Sequence, residues 1–480
     1  MDWRAGEDGS HSDESVAIAV VRRPAKVAVT DPRYGGAILI NPGGPAASGV
    51  IHTLERGEMI QSIVDASAAE EEDGEGLFFD IIGFDPRSVG YSTPKLECFP
   101  DYLSRQYWSV QGAAAEAIPS TNVSYASKLS HAAALTQSCV NRAVRHNASI
   151  AYHMNTAPLV EDMVAIIERH GEWREKTAAA LLNINGSELR RRNLRPASDE
   201  SSDGLIATWQ RTRWNVGKEK LLYWGVSYGT VPGQLFAHMH PDRVFRVLLD
   251  GVVDVDVYLG SKWDAPIAQG DDVLEYFFST CSRSPFCRFG EGDQGRTRAR
   301  YEKLLQSLSD QPLPVASNTE PTISADTITS SDVRRLVRQV AYTPLKLFPR
   351  LDKILVDLEG GDGTAMAAYK QSKLRSRETQ PGQCGPKAAF GVGCHDPSAI
   401  EMEGLAAIMC SDNRVVDSLS DEGFAEHLDT LQKRSQVSGW FLAELQMLCR
   451  GWQMKPKWHV DGVYPPPPSA TLHRATRRVQ

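Results

Sequence analysis

No apolar run in the 480-residue chain approaches the length of a membrane span; Val16–Val21 and Ala37–Ile40 are only strand-sized. No block of Lys and Arg stands out, and the net charge is −8. Nucleic acid is therefore not an expected partner. None of the eight cysteines stands in a C-x-x-C pair, which argues against zinc-ribbon and thioredoxin-type sites. No metal or cofactor is expected. Repeats on the scale of about 20–50 residues are absent, so a solenoid or propeller is excluded. The first fifteen residues, MDWRAGEDGSHSDES, lack the apolar region of a signal peptide. What remains is ordinary globular composition, 41% hydrophobic and 23% charged.

The cysteines themselves point the other way on compartment. Cys98, Cys139, Cys281, Cys287, Cys384, Cys394, Cys410 and Cys449 make an even number, and Cys281 and Cys287 would close a short loop. That suggests disulfides, with a connectivity the spacing does not reveal. Asn122, Asn147 and Asn185 head N-x-S/T sequons, which lean toward a secreted glycoprotein. Disulfides and sequons thus conflict with the missing signal sequence.

Along the chain, Val16–Val21, Ala37–Ile40, Leu77–Phe84, Lys220–Trp224 and Val244–Leu249 read as strands. The first three are short, continuous and apolar, the type that suits a sheet covered on both faces. Asn155 can cap a helix through Leu159, Met163, Ile166 and Ile167. Residues 172–217 are weakly patterned and read as a surface insertion. Strands alternating with helices up to Gly251 predict a mostly parallel sheet. From 265 onward the pattern turns helical, with Ser331 as an N-cap before Val333, Leu336, Val337 and Val340. The expected organisation is an α/β core over 1–264, a helical cap over 265–445, and a return to the core with an unstructured tail over 446–480.

Three stretches carry possible chemistry, each just after a strand. Gly225-Val226-Ser227-Tyr228-Gly229 is a G-x-S-x-G motif between a strand and a helix. There a nucleophile elbow presents a serine at a helix N-terminus. The small residues flanking the serine are needed because the turn is tight; a plain Gly-rich turn is the competing reading. Asn41-Pro42-Gly43-Gly44-Pro45 is the second. A backbone N–H from this loop, with that of Tyr228, can form an oxyanion hole. Asp85-Pro86-Arg87-Ser88-Val89-Gly90-Tyr91-Ser92 is the third, and Asp85 and Arg87 read as a pair bracing adjacent loops.

These stretches resemble the tripeptidyl aminopeptidase and proline iminopeptidase branch of the α/β-hydrolases. The matching pieces are the loop 41–45, Gly83–Ser92, Tyr223–Thr230 and Pro241–Asp254, with Cys449-Arg450-Gly451-Trp452 as the family's Cys-x-x-Trp. The resemblance implies an α/β-hydrolase fold, and a serine peptidase that releases residues or short peptides from substrate N-termini. It implies Ser227 as nucleophile and the backbone of Gly44 and Tyr228 as oxyanion donors. It implies secretion and disulfides Cys98–Cys139, Cys281–Cys287 and Cys410–Cys449, leaving Cys384 with Cys394. Its expected partner is a peptide with a free N-terminus. Ala46 stands where the family usually has glycine.

The same resemblance implies an Asp-Pro-x-Thr-Pro segment and a Gly-His after Cys-x-x-Trp, supplying the acid and base on two further strands. The 28 residues after Trp452 contain neither. The expectation is therefore an impaired enzyme without its last strands, with Val244–Leu249 left as an apolar edge. Asp250, Asp254 and Asp256 are weak substitutes for the acid. His238, His240, His395, His427, His459 and His473 read as surface histidines rather than a base. An inactive pseudoenzyme, or an esterase or lipase on the same fold, is the alternative.

Overall fold

A computed structural model of the protein describes residues 15–67, 76–115, 117, 122–145, 149–182, 200–260, 267, 269–319, 322–375, 402–413 and 415–460. At its centre lies a five-stranded sheet. The strands are β1 (Val20–Arg23), β2 (Tyr34–Asn41), β3 (Phe78–Phe84), β4 (Leu221–Val226) and β5 (Val244–Asp250). Their spatial order is β1-β3-β2-β4-β5. β1 runs antiparallel to β3, and the other neighbours are parallel. The mostly parallel sheet inferred from the alternation is thus present. The Val16–Val21 run is strand only at its end, because Ala17 makes an isolated bridge to Thr93 before β1 begins.

Successive side chains of β2 serve opposite faces of the sheet. Ile38 and Ile40 pack with Ile81 and with Ile60 of helix α1 (Gly49–Val64). Leu39 joins Ile82 and Phe84 in a larger cluster on the other face. There the sheet is covered by α4 (Thr156–Leu181), through Leu159, Val160 and Met163, and by α6 (Thr230–Met239), through Val231, Leu235 and Phe236. Between α1 and α4 come α2 (Tyr102–Ala114) and α3 (Asn122–Arg145). Covering both faces is what makes β2 and β3 read as unbroken apolar runs.

Residues 172–217 are less of an excursion than their patterning predicts. α4 continues through Leu181, and α5 (Glu200–Thr212) places Trp209 in a buried position. Arg174 on α4 donates to Glu219 and to the Thr212 carbonyl, tying this region to the start of β4. The basic triplet Arg190–Arg192 lies outside the described residues.

After β5 come α7 (Val255–Leu259), α8 (Gly270–Arg283), α9 (Gln294–Asp310), α10 (Ser330–Tyr342), α11 (Pro344–Glu359) and α12 (Thr364–Arg375). Helices α8 to α12 share a second hydrophobic cluster of their own, including Phe277, Phe278, Leu336 and Leu355. Thr329, not Ser331, caps α10; its side chain accepts from the Asp332 N–H while Asp332 reaches back to the Thr329 N–H. This reciprocal box satisfies two helix-end donors, which a serine inside the first turn cannot do. Ser331 Oγ instead accepts from the Ala117 N–H.

The last helices, α13 (Met402–Asp412), α14 (Asp421–Arg434) and α15 (Gly439–Cys449), pack differently from α8–α12. Leu405–Cys410 of α13 and Leu445–Cys449 of α15 belong to the same cluster as Leu39 and Phe84 of the sheet. Cys98–Cys139, Cys281–Cys287 and Cys410–Cys449 are all bonded; Cys384 and Cys394 lie outside the described residues. Among the described residues no helix is long and apolar enough to cross a membrane. β5 forms one edge of the described sheet and leaves Phe245 and Leu248 exposed at 58% and 50%.

Candidate active site

The parallel register sets Asn41 at the end of β2 beside Gly225 of β4. Both strands therefore deliver their following loops to one place, at the carboxyl ends of the sheet. In open α/β sheets ligands bind at that end. From β4 the chain turns through a 3₁₀ segment, Ser227–Gly229, directly into α6.

Ser227 holds φ = +56°, a left-handed conformation that serine adopts rarely. The flanking glycines explain how the turn closes. A Cβ on Gly225 would stand 2.2 Å from the Gly229 carbonyl oxygen, and one on Gly229 would stand 2.3 Å from the Asn41 carbonyl oxygen. Buried clamps then hold the turn. The Tyr223 hydroxyl donates to the Gly229 carbonyl at 2.6 Å. Thr230 Oγ1 donates to the Ser227 carbonyl at 2.7 Å and accepts from the Val253 N–H at 2.9 Å. Ser227 itself is half-buried.

The second loop lies against this turn. A Cβ on Gly43 would come within 2.4 Å of the Val226 carbonyl and 3.0 Å of the Tyr228 nitrogen. Gly43 and Gly44 have φ of +97° and +109°. The Gly43 N–H is taken up by Asn41 Oδ1 at 2.9 Å, whereas Gly44 is exposed and, among the described residues, its N–H has no acceptor. Ala46 follows with φ = +70° and is buried at 3%. Its methyl is accommodated because it lies over Gly404 of α13, where a Cβ would stand 3.4 Å away. The extra carbon is therefore packed, at the cost of a backbone conformation that favours glycine.

The third loop braces this end of the sheet, though not through an Asp85–Arg87 pair. Asp85 accepts from Ser48 Oγ at 2.6 Å, the Val50 N–H at 3.0 Å and the Tyr91 N–H at 2.8 Å. It thus fastens the start of α1 immediately after the glycine loop. Arg87 instead turns to α4 and makes a two-pronged pair with buried Asp162, at 2.7 and 2.9 Å. Burial pushes the Asp162 carboxyl up and Arg87 pulls it back. The two side chains leave one loop in different directions, which adjacency in sequence does not show.

A buried polar network, not anticipated from sequence, lies behind Tyr228. Asp412, at the end of α13, accepts from the Thr156 N–H at 2.8 Å, from Thr156 Oγ1 at 2.6 Å and from the Tyr258 hydroxyl at 3.1 Å. Thr156 Oγ1 is also 2.7 Å from the Tyr228 hydroxyl. Since the threonine proton points to the carboxylate, the Tyr228 hydroxyl is the donor to Thr156. Asn155 precedes α4 as expected but makes no side-chain cap; its Nδ2 donates to the Trp458 carbonyl. Asp412 takes the cap's role from another helix. Burial pushes its carboxyl up to about 6 against the pull of these donors. Burial also raises Tyr228 and Tyr258 well above the usual phenol range, which keeps both able to donate. The sequence signal was faint: one acid two positions after a cysteine, at the end of an apolar helix.

Among the described residues no histidine hydrogen-bonds the Ser227 hydroxyl. His240 pairs with Glu161 at 2.7 Å, and His459 Nε2 lies 3.0 Å from the Asp412 carbonyl. His238 is on α6 and His427 on α14; His395 and His473 are outside the described residues. Asp254 caps α7 by accepting from the Asp256 and Val257 N–H groups, while Asp250 and Asp256 are exposed. Cys281, Cys287 and Asp352 cluster closely enough to suggest metal ligands, but the two sulfurs are joined in a disulfide and offer no thiolate. A cavity of about 410 Å³ opens at the other end of the sheet, lined by Tyr34, His170, Arg174, Lys218, Leu222 and Phe245. It is remote from the elbow because it borders the starts of β2, β4 and β5.

Comparison with known proteins agrees with this geometry. The family model described as alpha/beta hydrolase fold matches residues 36–321. The chain is 24% identical to the serine protease Hip1 of Mycobacterium tuberculosis over 363 residues, covering 75% of this chain and 55% of that protein. It is 25% identical to the tripeptidyl aminopeptidase of Streptomyces coelicolor over 219 residues, covering 46% and 28% of the two. A shorter stretch of 85 residues is 45% identical to carboxylesterase B of M. tuberculosis, covering 18% of this chain and 13% of that one. The chain spans about half the length of the Hip1 relative and less of the other two. Strand order, elbow and sequence match lead to one conclusion: the chain belongs to the α/β-hydrolase fold family.

Proposed function

We propose that the protein is a serine hydrolase acting on peptides from their N-termini, with Ser227 as nucleophile and the backbone N–H groups of Gly44 and Tyr228 as oxyanion donors. The observation that carries this reading is Ser227 itself, held at φ = +56° between a parallel strand and a helix and abutted by the Gly43–Gly44 loop. Strained backbone at such a turn exposes the hydroxyl and aims the following N–H at the same space. In the reaction Ser227 Oγ forms an ester with the substrate acyl carbon while the carbon–nitrogen bond breaks. The hydroxyl proton ends on the departing amine. Water then cleaves the ester and restores the serine. The two N–H groups stabilise the negative oxygen of each tetrahedral intermediate.

The peptidase assignment rests on the names of the relatives, Hip1 serine protease and tripeptidyl aminopeptidase. Secretion and glycosylation at the sequons belong to the same reading, supported by three disulfides that persist in oxidising compartments. Without a histidine bonded to Ser227, the described residues leave the hydroxyl a poor nucleophile at neutral pH. Among the described residues none is placed as its base, and His395 and His473 lie outside them.

Comparing tripeptide amides with simple acyl esters tests the substrate class. The expected result is hydrolysis of the amides, lost in Ser227→Ala, and slower when the substrate N-terminus is acetylated. Ester cleavage with no amide cleavage would replace the peptidase reading with the esterase one. Equal rates in Ser227→Ala would remove both.

A further inference from the structure

We infer that Asp412 is a positioning residue for the elbow, acting through Thr156 on Tyr228, the residue whose backbone N–H follows the nucleophile. The inference rests on the serine-hydrolase reading above and deepens it.

Three observations carry it. First, the chain of contacts is continuous and short: the Tyr228 hydroxyl to Thr156 Oγ1 at 2.7 Å, and Thr156 Oγ1 to the Asp412 carboxylate at 2.6 Å. Second, every member is buried; Asp412, Thr156 and Tyr228 are each no more than 2% exposed. A buried carboxylate without water must find its donors in the protein, so the directions of these groups are fixed together. Third, the carboxylate also caps α4 through the Thr156 N–H and holds Tyr258, whose ring lies 5.6 Å from that of Tyr228. One side chain therefore sets the first residue of α4, the last turn of α7 and the ring of Tyr228 in one arrangement.

The consequence concerns the backbone on the other side of Tyr228. Its side chain is anchored at the hydroxyl, and its peptide is bounded by Gly43 at the nitrogen. With both ends fixed, the N–H direction is fixed as well. Loss of the hydroxyl anchor lets the ring and its peptide relax, and an oxyanion donor tolerates little displacement. Asp412 lies on a helix joined to α15 by the Cys410–Cys449 disulfide. The last part of the described chain is thus wired to the turn that carries Ser227.

The test uses the full chain, an alkyl fluorophosphonate as covalent probe and a p-nitrophenyl ester as substrate. Thr156→Val removes the relay hydroxyl and keeps the shape; Thr156→Ser restores the hydroxyl. Thr156→Val is expected to slow labelling of Ser227 and to lower kcat about tenfold with KM little changed, and Thr156→Ser to recover most of the loss. Asp412→Asn is expected to follow Thr156→Val, with thermal unfolding run on each variant to confirm a folded protein. Wild-type rates in a folded Thr156→Val, or a Thr156→Ser as slow as Thr156→Val, would overturn the inference and leave the hydrolase reading standing. Failure of the wild-type chain to label at Ser227 would overturn both.

Discussion

Gly229→Ala is expected to lower the rate of covalent labelling at Ser227 by about 100-fold or more. The added Cβ would sit 2.3 Å from the Asn41 carbonyl oxygen and 3.1 Å from Asn41 Oδ1. Neither is the loose end of a flexible side chain. The carbonyl belongs to β2, and Oδ1 holds the Gly43 N–H. Relief of the clash must separate the elbow from the glycine loop, the two pieces proposed to form the oxyanion hole. A displacement near 1 Å at such a site costs about 100-fold in rate. The accompanying loss of stability is expected to be about 1–3 kcal/mol, the usual range for overpacking. Labelling kinetics with a parallel unfolding curve check this. A folded Gly229→Ala that labels at the wild-type rate would show that the contact between the two loops is not needed.

The second large effect is on stability. Asp162→Ala is expected to destabilise the fold by about 3–5 kcal/mol, because it strands the Arg87 guanidinium in a buried place. The side chains of Arg87 and Asp162 are 9% and 1% exposed, and the pair is two-pronged. Arg87→Met together with Asp162→Leu is expected to recover much of that loss, since the cost lies in the unpaired charge more than in the pair's net attraction. Denaturant unfolding of the two variants decides it. A double variant as unstable as Asp162→Ala would mean that the pair holds the loop after β3 by geometry that apolar packing does not replace.

The parts legible in the sequence share a physical feature: they are local. β2 and β3 announce themselves as continuous apolar runs because both faces of the sheet are covered there. The elbow announces itself because its flanking glycines are forced by contacts within a few residues, Gly225 against Gly229. The disulfides followed from the family resemblance and are present in the described residues. What stayed hidden depends on distant partners. Arg87 and Asp162 are 75 positions apart, and Thr156 and Asp412 are 256 apart. No periodicity marks such pairs. Even the cap of α4 was misplaced for this reason, since the carboxylate that caps it arrives from α13 rather than from Asn155. The α10 cap failed differently: Thr329 and Ser331 are both good N-caps, and only the reciprocal bond to Asp332 selects Thr329.

β5 stands at one edge of the described sheet. Phe245 and Leu248 show that apolar side chains face solvent there. Such an edge carries a risk of strand pairing between molecules, so labelling and unfolding are best run at low protein concentration.

If Ser227 is the nucleophile, a covalent adduct must form on it and nowhere else. The full chain is incubated with an alkyl fluorophosphonate, digested, and the modified residue identified by peptide mass spectrometry alongside Ser227→Ala. The expected result is a single adduct on the peptide containing Ser227, and none in Ser227→Ala. An adduct on another residue, no adduct after prolonged incubation, or equal labelling in Ser227→Ala would contradict it.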